Sequence, residues 1–199
     1  TSPPRPEQAL AVLDDFLPEF QRQRVAESLL TLRAQARAMQ GQLPETLPDL
    51  RNYINRIPEA DLNRRLEDLL EVVSGLSAPN TDIYVLLDEM ASRLQASSQW
   101  RIELERSALA RRSGNQRKAL GHVQSVIDEA PSDLSDVDLG ALRLSAADLH
   151  LALDEPEVAA DVLQSVAPEA LSPDEQRAYW SLRGRALVLT SDDDALDSL

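Results

Sequence analysis

Two stretches forty residues apart decide the fold. Residues 119–126 read Ala-Leu-Gly-His-Val-Gln-Ser-Val, and residues 159–166 read Ala-Ala-Asp-Val-Leu-Gln-Ser-Val. Each begins with a small residue that is followed four and seven positions later by apolar residues, which places all three on one face of an α-helix. Each also follows a helical pattern and a short turn, and leads toward Pro131 or Pro168. The sequence therefore predicts a repeated helical hairpin whose second helix approaches the first closely at the alanine.

The rest of the chain carries the same helical periodicity. Apolar residues recur at three- and four-residue spacing almost throughout, and Pro or Gly separates the patterns. The predicted apolar stripes of the first two helices include Phe16, Leu32 and Met39, and Pro18 is expected to end or bend the first helix. Alternation typical of β-strands is missing from the sequence. The predicted class is all-α, an α-solenoid of antiparallel helix pairs.

The proline- and glycine-rich segments also suggest how the chain is organised. We predict an N-terminal helical subdomain of about four helices at 1–76, the fourth of them running from 60 to 74. A boundary segment follows at 77–81, and helical repeats fill 82–199. The last pair is expected to be incomplete, with a new helix beginning at 192–199.

The repeated hairpin resembles the tetratricopeptide repeat. Gly114, Ala119, Val123, Val126 and Pro131 stand where that motif has its turn glycine, small alanine, two apolar positions and terminal proline. Two departures are clear, since Arg-Ser at 106–107 replaces the Leu-Gly of the first helix and the spacing of forty exceeds the usual length of about 34 residues. A generic helical hairpin with a similar alanine is the alternative interpretation.

A longer resemblance covers residues from about Asn80 to Leu199. This part is similar to the N-terminal helical domain of the LpoA family, the outer-membrane lipoprotein activators of penicillin-binding protein 1A. The residues that carry the similarity are Leu-Gln-Ser-Val-Ala-Pro-Glu-Ala-Leu at 163–171, followed by Arg-Ala-Tyr-Trp at 177–180. The segments 83–90 and 100–119 also match the family pattern. Residues 1–76 have no counterpart in that family.

The resemblance implies a non-catalytic scaffolding module. In the family, a helical domain of this kind extends across the periplasm, tethered to the outer membrane through a lipidated N-terminus, and supports peptidoglycan synthesis and cell shape. A second α/β domain, which nothing in this sequence could form, is mainly associated with direct activation of the synthase. The implied partner is therefore a class A penicillin-binding protein, and the implied location is the periplasmic face of the outer membrane.

The alternative is a cytoplasmic tetratricopeptide-type adaptor that binds a peptide or a helix of a partner protein in its groove. Neither the partner nor the oligomeric state follows from the sequence.

Charge and composition exclude several other classes of protein. The net charge is −14, and the part after residue 127 contains seventeen acidic residues against four arginines. Such a surface repels nucleic-acid phosphates and disfavours anionic membranes. It serves either solubility or the binding of a basic partner. There is no cysteine, and no run approaches the roughly 20 apolar residues of a membrane-spanning helix.

The residue types that catalysis needs are scarce. His122 and His150 are isolated in the sequence, and no phosphate-binding loop, nucleophile elbow or zinc motif is present. The acidic groups at 14–15, 88–89 and 192–194 fall in helix turns that look exposed, and acid–base work would need a carboxyl group in an apolar pocket. At 192–194, where a helix is predicted to begin, capping explains the acidic residues better than a metal ion. We predict no catalytic residue, no cofactor and no metal ligand.

The candidate partner-binding residues fall into two groups. Aromatic residues supply large contact areas at protein interfaces, although the same residues often pack between repeats. Basic residues near the turn at Gly114 form a patch that could meet an acidic partner or the acidic C-terminal third of the chain, or could simply be solvated. The candidates are Tyr179, Trp180, Trp100, Arg106, Arg111, Arg112, Arg117 and Lys118.

Overall fold

The computed structural model describes residues 6–20, 25–76, 81–129, 131–132 and 134–196. Within these ranges the chain is all-α, with no strand, as the sequence predicts. It divides into two compact units, Thr1–Glu105 and Arg106–Leu199, and the division falls within helix α7 (Ala96–Arg112). The predicted boundary at 77–81 lies almost wholly outside the described residues, so that domain division stays a prediction.

The N-terminal unit contains the helices up to the first part of α7. They are α1 (Pro6–Phe20), α2 (Val25–Met39), α3 (Leu43–Arg56), α4 (Glu59–Arg64), α5 (Leu66–Ser74) and α6 (Thr81–Ala91). Helix α2 packs against α1, α3 and α5, and α3 also packs against α6. The core of this unit is aliphatic, and its fully buried side chains include Leu50, Ile54, Leu62, Leu69, Ile83 and Leu86.

The C-terminal unit is organised around one helix. After α7 come α8 (Gln116–Glu129), α9 (Asp136–Ala152), α10 (Pro156–Gln164), a 3₁₀ turn (Pro168–Ala170) and α11 (Pro173–Leu196). Helix α9 packs against α8, α10 and α11, and α10 also packs against α11. A capping box begins α9, where the Ser135 hydroxyl accepts a hydrogen bond from the Asp138 N–H at 3.1 Å.

The forty-residue repeat is visible in the burial of side chains. Ala119, Val123 and Val126 on α8 are all buried, and so are their equivalents Ala159, Leu163 and Val166. An α-helix that places a small residue against its neighbour can approach it closely, so the two larger side chains that follow reach the same core.

The backbone repeats as well. Gly114 has φ +74° and Asp154, forty residues later, has φ +58°. The Asn115 N–H donates to the Ala110 carbonyl at 2.9 Å, and the Glu155 N–H donates to the His150 carbonyl at 3.0 Å. These bonds satisfy carbonyl groups near the C-terminal end of a helix that have no partner within the helix. They require that the residue before the donor N–H adopt the left-handed conformation. The two hairpins therefore turn by the same mechanism.

The shared turn gives a paired prediction. We expect Gly114→Ala to lower the free energy of unfolding by about 1 kcal/mol, because alanine is strained at this φ. No atom lies within 4 Å of the added Cβ, so no steric clash contributes. We expect Asp154→Gly to raise it by about 0.5–1 kcal/mol, since the same strain is removed there. Urea unfolding measures both, and two changes of the same sign would contradict the shared turn.

Helix α1 does not end at Pro18, since it extends to Phe20 with the proline in its last turn, and the alternative expectation of a bend stays a prediction. Two details of the predicted helices are wrong. The helix predicted at 60–74 is two helices, because the backbone at Arg65 (φ −104°, ψ 9°) departs from helical geometry. The helix predicted to begin at 192 does not exist, since α11 runs unbroken from Pro173 to Leu196. Neither Pro nor Gly interrupts residues 185–196, so nothing in the backbone stops the helix there.

The predicted stripes of the first two helices are also partly wrong. Phe16, Leu32 and Met39 are exposed, whereas the buried residues of α2 include Leu30 and the alanines at 34, 36 and 38. Helix α2 lies between α1 and α3, so the two neighbours select which of its apolar residues are covered.

Candidate interaction surface

Tyr179 and Trp180 are adjacent in sequence but have opposite environments. Tyr179 is 4% exposed and belongs to the core cluster of the C-terminal unit, whereas Trp180 is 57% exposed. Their rings meet edge to face with centroids 4.9 Å apart. Because α11 turns each successive side chain by about 100°, neighbouring residues face different surroundings. Tyr179 therefore packs between helices, and Trp180 is the aromatic candidate accessible to a partner.

Arg183 connects these two rings. It lies one helical turn after Tyr179, and its guanidinium donates a hydrogen bond to the Tyr179 hydroxyl at 3.2 Å. The guanidinium carbon is also 5.7 Å from the centroid of the Trp180 ring. This contact is within the range of a cation–π interaction. Arg183 thus satisfies the polar end of the buried tyrosine and positions the exposed tryptophan.

Trp100 lies in the N-terminal unit, in a groove of about 530 Å³ between α5 and α7. The Arg101 guanidinium is 4.3 Å from the centroid of its ring and pairs with Glu67 at 2.8 Å. Glu71 and Glu105 also line this groove. The groove therefore presents the Trp100 ring among mainly acidic side chains, and a basic or uncharged ligand suits it better than an anion.

Two of the basic candidates of the C-terminal unit, Arg111 and Arg117, form ion pairs with acidic side chains of the same unit. Arg111 pairs with Asp148 at 2.6 Å, and Arg185 approaches the other oxygen of the same carboxylate at 3.4 Å. Arg117 pairs with Glu155 at 3.1 Å. Both acidic partners belong to the acidic third of the chain, so these arginines meet it within one molecule. Of the remaining candidates, Arg112 and Lys118 are exposed and Arg106 is half-buried.

Glu155 is the centre of a small polar network at the turn before α10. Its carboxylate lies 2.8 Å from His150 Nδ1 and also accepts a hydrogen bond from Arg117. The hydrogen bond with His150, followed by the bond and charge of Arg117, lowers the pKa of the Glu155 carboxyl. The network holds the turn at Asp154 to both α8 and α9.

This network predicts a pH dependence. Because the pKa of Glu155 is lower in the folded state than in the unfolded state, its ionised form stabilises the fold. This contribution is complete at pH values above the ordinary glutamate pKa of about 4.3. The contribution is lost as the pH falls through the lower folded pKa. We therefore expect Glu155→Gln to be less stable than the parent at pH 7 and the difference to shrink as the pH is lowered into the acid range below the ordinary glutamate pKa. Urea unfolding at several pH values measures it, with Glu157→Gln, an exposed neighbour, as control.

A second ion-pair cluster lies in the N-terminal unit and escaped sequence reasoning. Asp49 on α3 is 2% exposed and receives two hydrogen bonds from Arg33, at 2.6 and 2.8 Å, and one from Arg37 at 2.8 Å. Asp14 on α1 bonds the same two arginines at 3.0 and 3.3 Å. Burial by itself lowers the pKa of Arg33, but the bonds and charges of Asp49 and then Asp14 outweigh it and raise that pKa.

The Arg33–Arg37 cluster is structural in character. The four-residue spacing of the arginines on α2 places both on one face, and this signal was available in the sequence. Their acidic partners lie more than ten residues away on two other helices, so local pattern alone could not have paired them.

The described residues contain no group of three or more His, Asp or Glu side chains arranged to hold a metal ion. None of the described helices combines the length and the apolar character that crossing a membrane requires. Comparison with protein-family models, with curated proteins and with solved structures finds no match for this chain.

Proposed function

We propose that this chain is a non-catalytic protein-interaction module built from stacked helical hairpins. The observation that carries the proposal is the forty-residue repetition of buried positions and of the turn at Gly114 and Asp154. The order of contacts supports it, because α9 packs on the helix before it and on the two helices after it. In a repeat stack, each hairpin buries the apolar face of its neighbour and leaves a long surface for partners.

The resemblance after Asn80 supplies the finer proposal. The chain acts as the helical domain of a periplasmic lipoprotein at the outer membrane and supports peptidoglycan synthesis by positioning an activator of a class A penicillin-binding protein. Its surface suits protein contacts, since Trp180 is exposed beside Arg183. Tryptophan and arginine are enriched among the residues that dominate binding energies at interfaces.

The experiment is a pull-down from envelope extracts with the purified chain as bait. Class A penicillin-binding proteins in the eluate are quantified with a fluorescent penicillin. We expect recovery above an empty resin, and about tenfold less recovery with Trp180→Ala. Recovery no greater than on empty resin would remove the peptidoglycan part of the proposal. Fractionation of the producing cells tests the location, and finding the protein in the cytoplasm would favour the adaptor function instead.

A further inference from the structure

Helices α9 and α11 occupy equivalent places, forty residues apart. Leu142 and Ala146 on α9 are buried, and so are their equivalents Leu182 and Ala186 on α11. Both helices begin with the same kind of cap, in which the Ser135 N–H donates to Asp138 at 3.4 Å and the Ser172 N–H donates to Glu175 at 2.9 Å. These caps are thirty-seven residues apart, because α11 begins about one turn earlier than the forty-residue register. Each helix therefore uses the same face against the helices that precede it.

The other face of α9 is covered by later elements of the chain. Gly140, Leu144 and Ala147 are all buried on this face. Leu144 and Ala147 share a core cluster with Ala159 and Leu163 of α10. At Gly140 the approach is so close that an added Cβ would lie 2.9 Å from a Leu171 methyl group. The occupant of this face is therefore α10, together with the turn and the helix that come after it.

The equivalent face of α11 is exposed. Its residues are Trp180, Gly184 and Leu187, which follow at the four- and seven-residue spacing of one helix face. Trp180 is 57% exposed, Leu187 is 55% exposed, and no atom lies within 4 Å of a Cβ built on Gly184. Two large apolar side chains thus flank a position without a side chain. This arrangement forms a hole into which a side chain of another helix fits.

A groove continues this face toward α10. Its volume is about 400 Å³, and Tyr179, Arg183 and Leu187 line it together with Ala160 and Leu163. The position of Arg183 is informative because its equivalent on α9 is Arg143. That arginine donates to the Ser165 carbonyl at 3.0 Å, at the C-terminal end of α10. Arg183 is therefore placed to bond the carbonyls at the end of a helix that lies in this groove.

We propose that the Trp180–Gly184–Leu187 face receives an amphipathic α-helix of a partner protein, seated as α10 is seated on α9. The helix presents a large apolar side chain to Gly184 and ends beside Arg183. Arg117 of α8 pairs with Glu155, the residue just before α10. Forty residues after Arg117 the chain has Glu157, which is acidic instead of basic. The docked helix is therefore expected to carry a basic residue just before its first turn, in the place that Glu155 has before α10. This inference rests on the proposed interaction function and specifies the class of partner.

The test uses a peptide whose sequence already fills the equivalent place. A fluorescein-labelled peptide of residues 155–168 carrying Glu155→Lys is titrated with the full chain, and its anisotropy is recorded. We expect saturable binding, about tenfold weaker binding to Leu187→Asp, and binding to Val188→Asp within about twofold of the parent. Val188→Asp is the matched control, because α9 carries Asp148 at that position. Circular dichroism confirms that both variants remain folded.

The outcomes separate this inference from the function on which it rests. Failure of the peptide to bind, or equal binding to both variants, would overturn the helix site even if the envelope pull-down succeeds. A second contrary outcome is a dimer that sedimentation detects, that Leu187→Asp dissociates and that the peptide does not disrupt. This result would assign the face to a second copy of the chain and would also overturn the helix site. Peptide binding that depends on Leu187, with no recovery of a penicillin-binding protein, would support the site and remove only the peptidoglycan role.

Discussion

Tyr179→Ala is expected to lower the free energy of unfolding by about 3–4 kcal/mol, because truncating a buried aromatic side chain leaves a large cavity. The ring contacts a core formed by α9, α10 and α11, and it is 4% exposed. The loss also removes the acceptor of the Arg183 hydrogen bond. Urea unfolding monitored by circular dichroism measures the change, and a loss below about 1 kcal/mol would contradict a core role.

Trp180→Ala is the matched control for this prediction. The side chain is large and aromatic like that of Tyr179, but it is 57% exposed. We expect its removal to change the free energy of unfolding by less than about 1 kcal/mol while weakening the binding of a partner. The two variants together separate packing from recognition, which the sequence left as alternative roles for both residues.

Asp49→Ala is expected to lower the free energy of unfolding by about 3 kcal/mol, since removing one member of a buried ion pair leaves the other charges uncompensated. Arg33 and Arg37 are mostly buried, and both lose their closest carboxylate. Asp14 bonds the same two arginines but is 51% exposed. Hence Asp14→Ala should cost less than about 1 kcal/mol.

Chemical denaturation of both variants provides the measurement for this cluster. Equal losses of unfolding free energy for Asp14→Ala and Asp49→Ala would contradict the prediction. They would show that the burial of Asp49 does not determine how much this residue stabilises the fold. A third variant, Asp49→Asn, keeps the shape and part of the hydrogen bonding. We expect it to lie between the parent and Asp49→Ala, because the neutral amide accepts fewer and weaker bonds than the carboxylate.

The agreement between sequence and structure is closest where the signal is local. The Ala-x-x-x-Val-x-x-Val spacing at 119–126 and its counterpart at 159–166 placed six residues in the core, and all six are buried. Gly114 was predicted as the turn between the two helices and has positive φ. These features depend on helical periodicity and on the conformational freedom of glycine, which act within a few residues. The all-α class follows from the same local signals.

Tertiary structure decided the features that depend on distant neighbours. Helix α2 has apolar residues on several sides, and only the positions of α1 and α3 determine that Leu32 and Met39 are exposed. The burial of Asp49 depends on two arginines brought from another helix. Tyr179 and Trp180 were equal candidates in the sequence until the packing of α11 placed one in the core and left the other accessible. Periodicity fixes which residues share a face, whereas the neighbouring helices fix which face is covered.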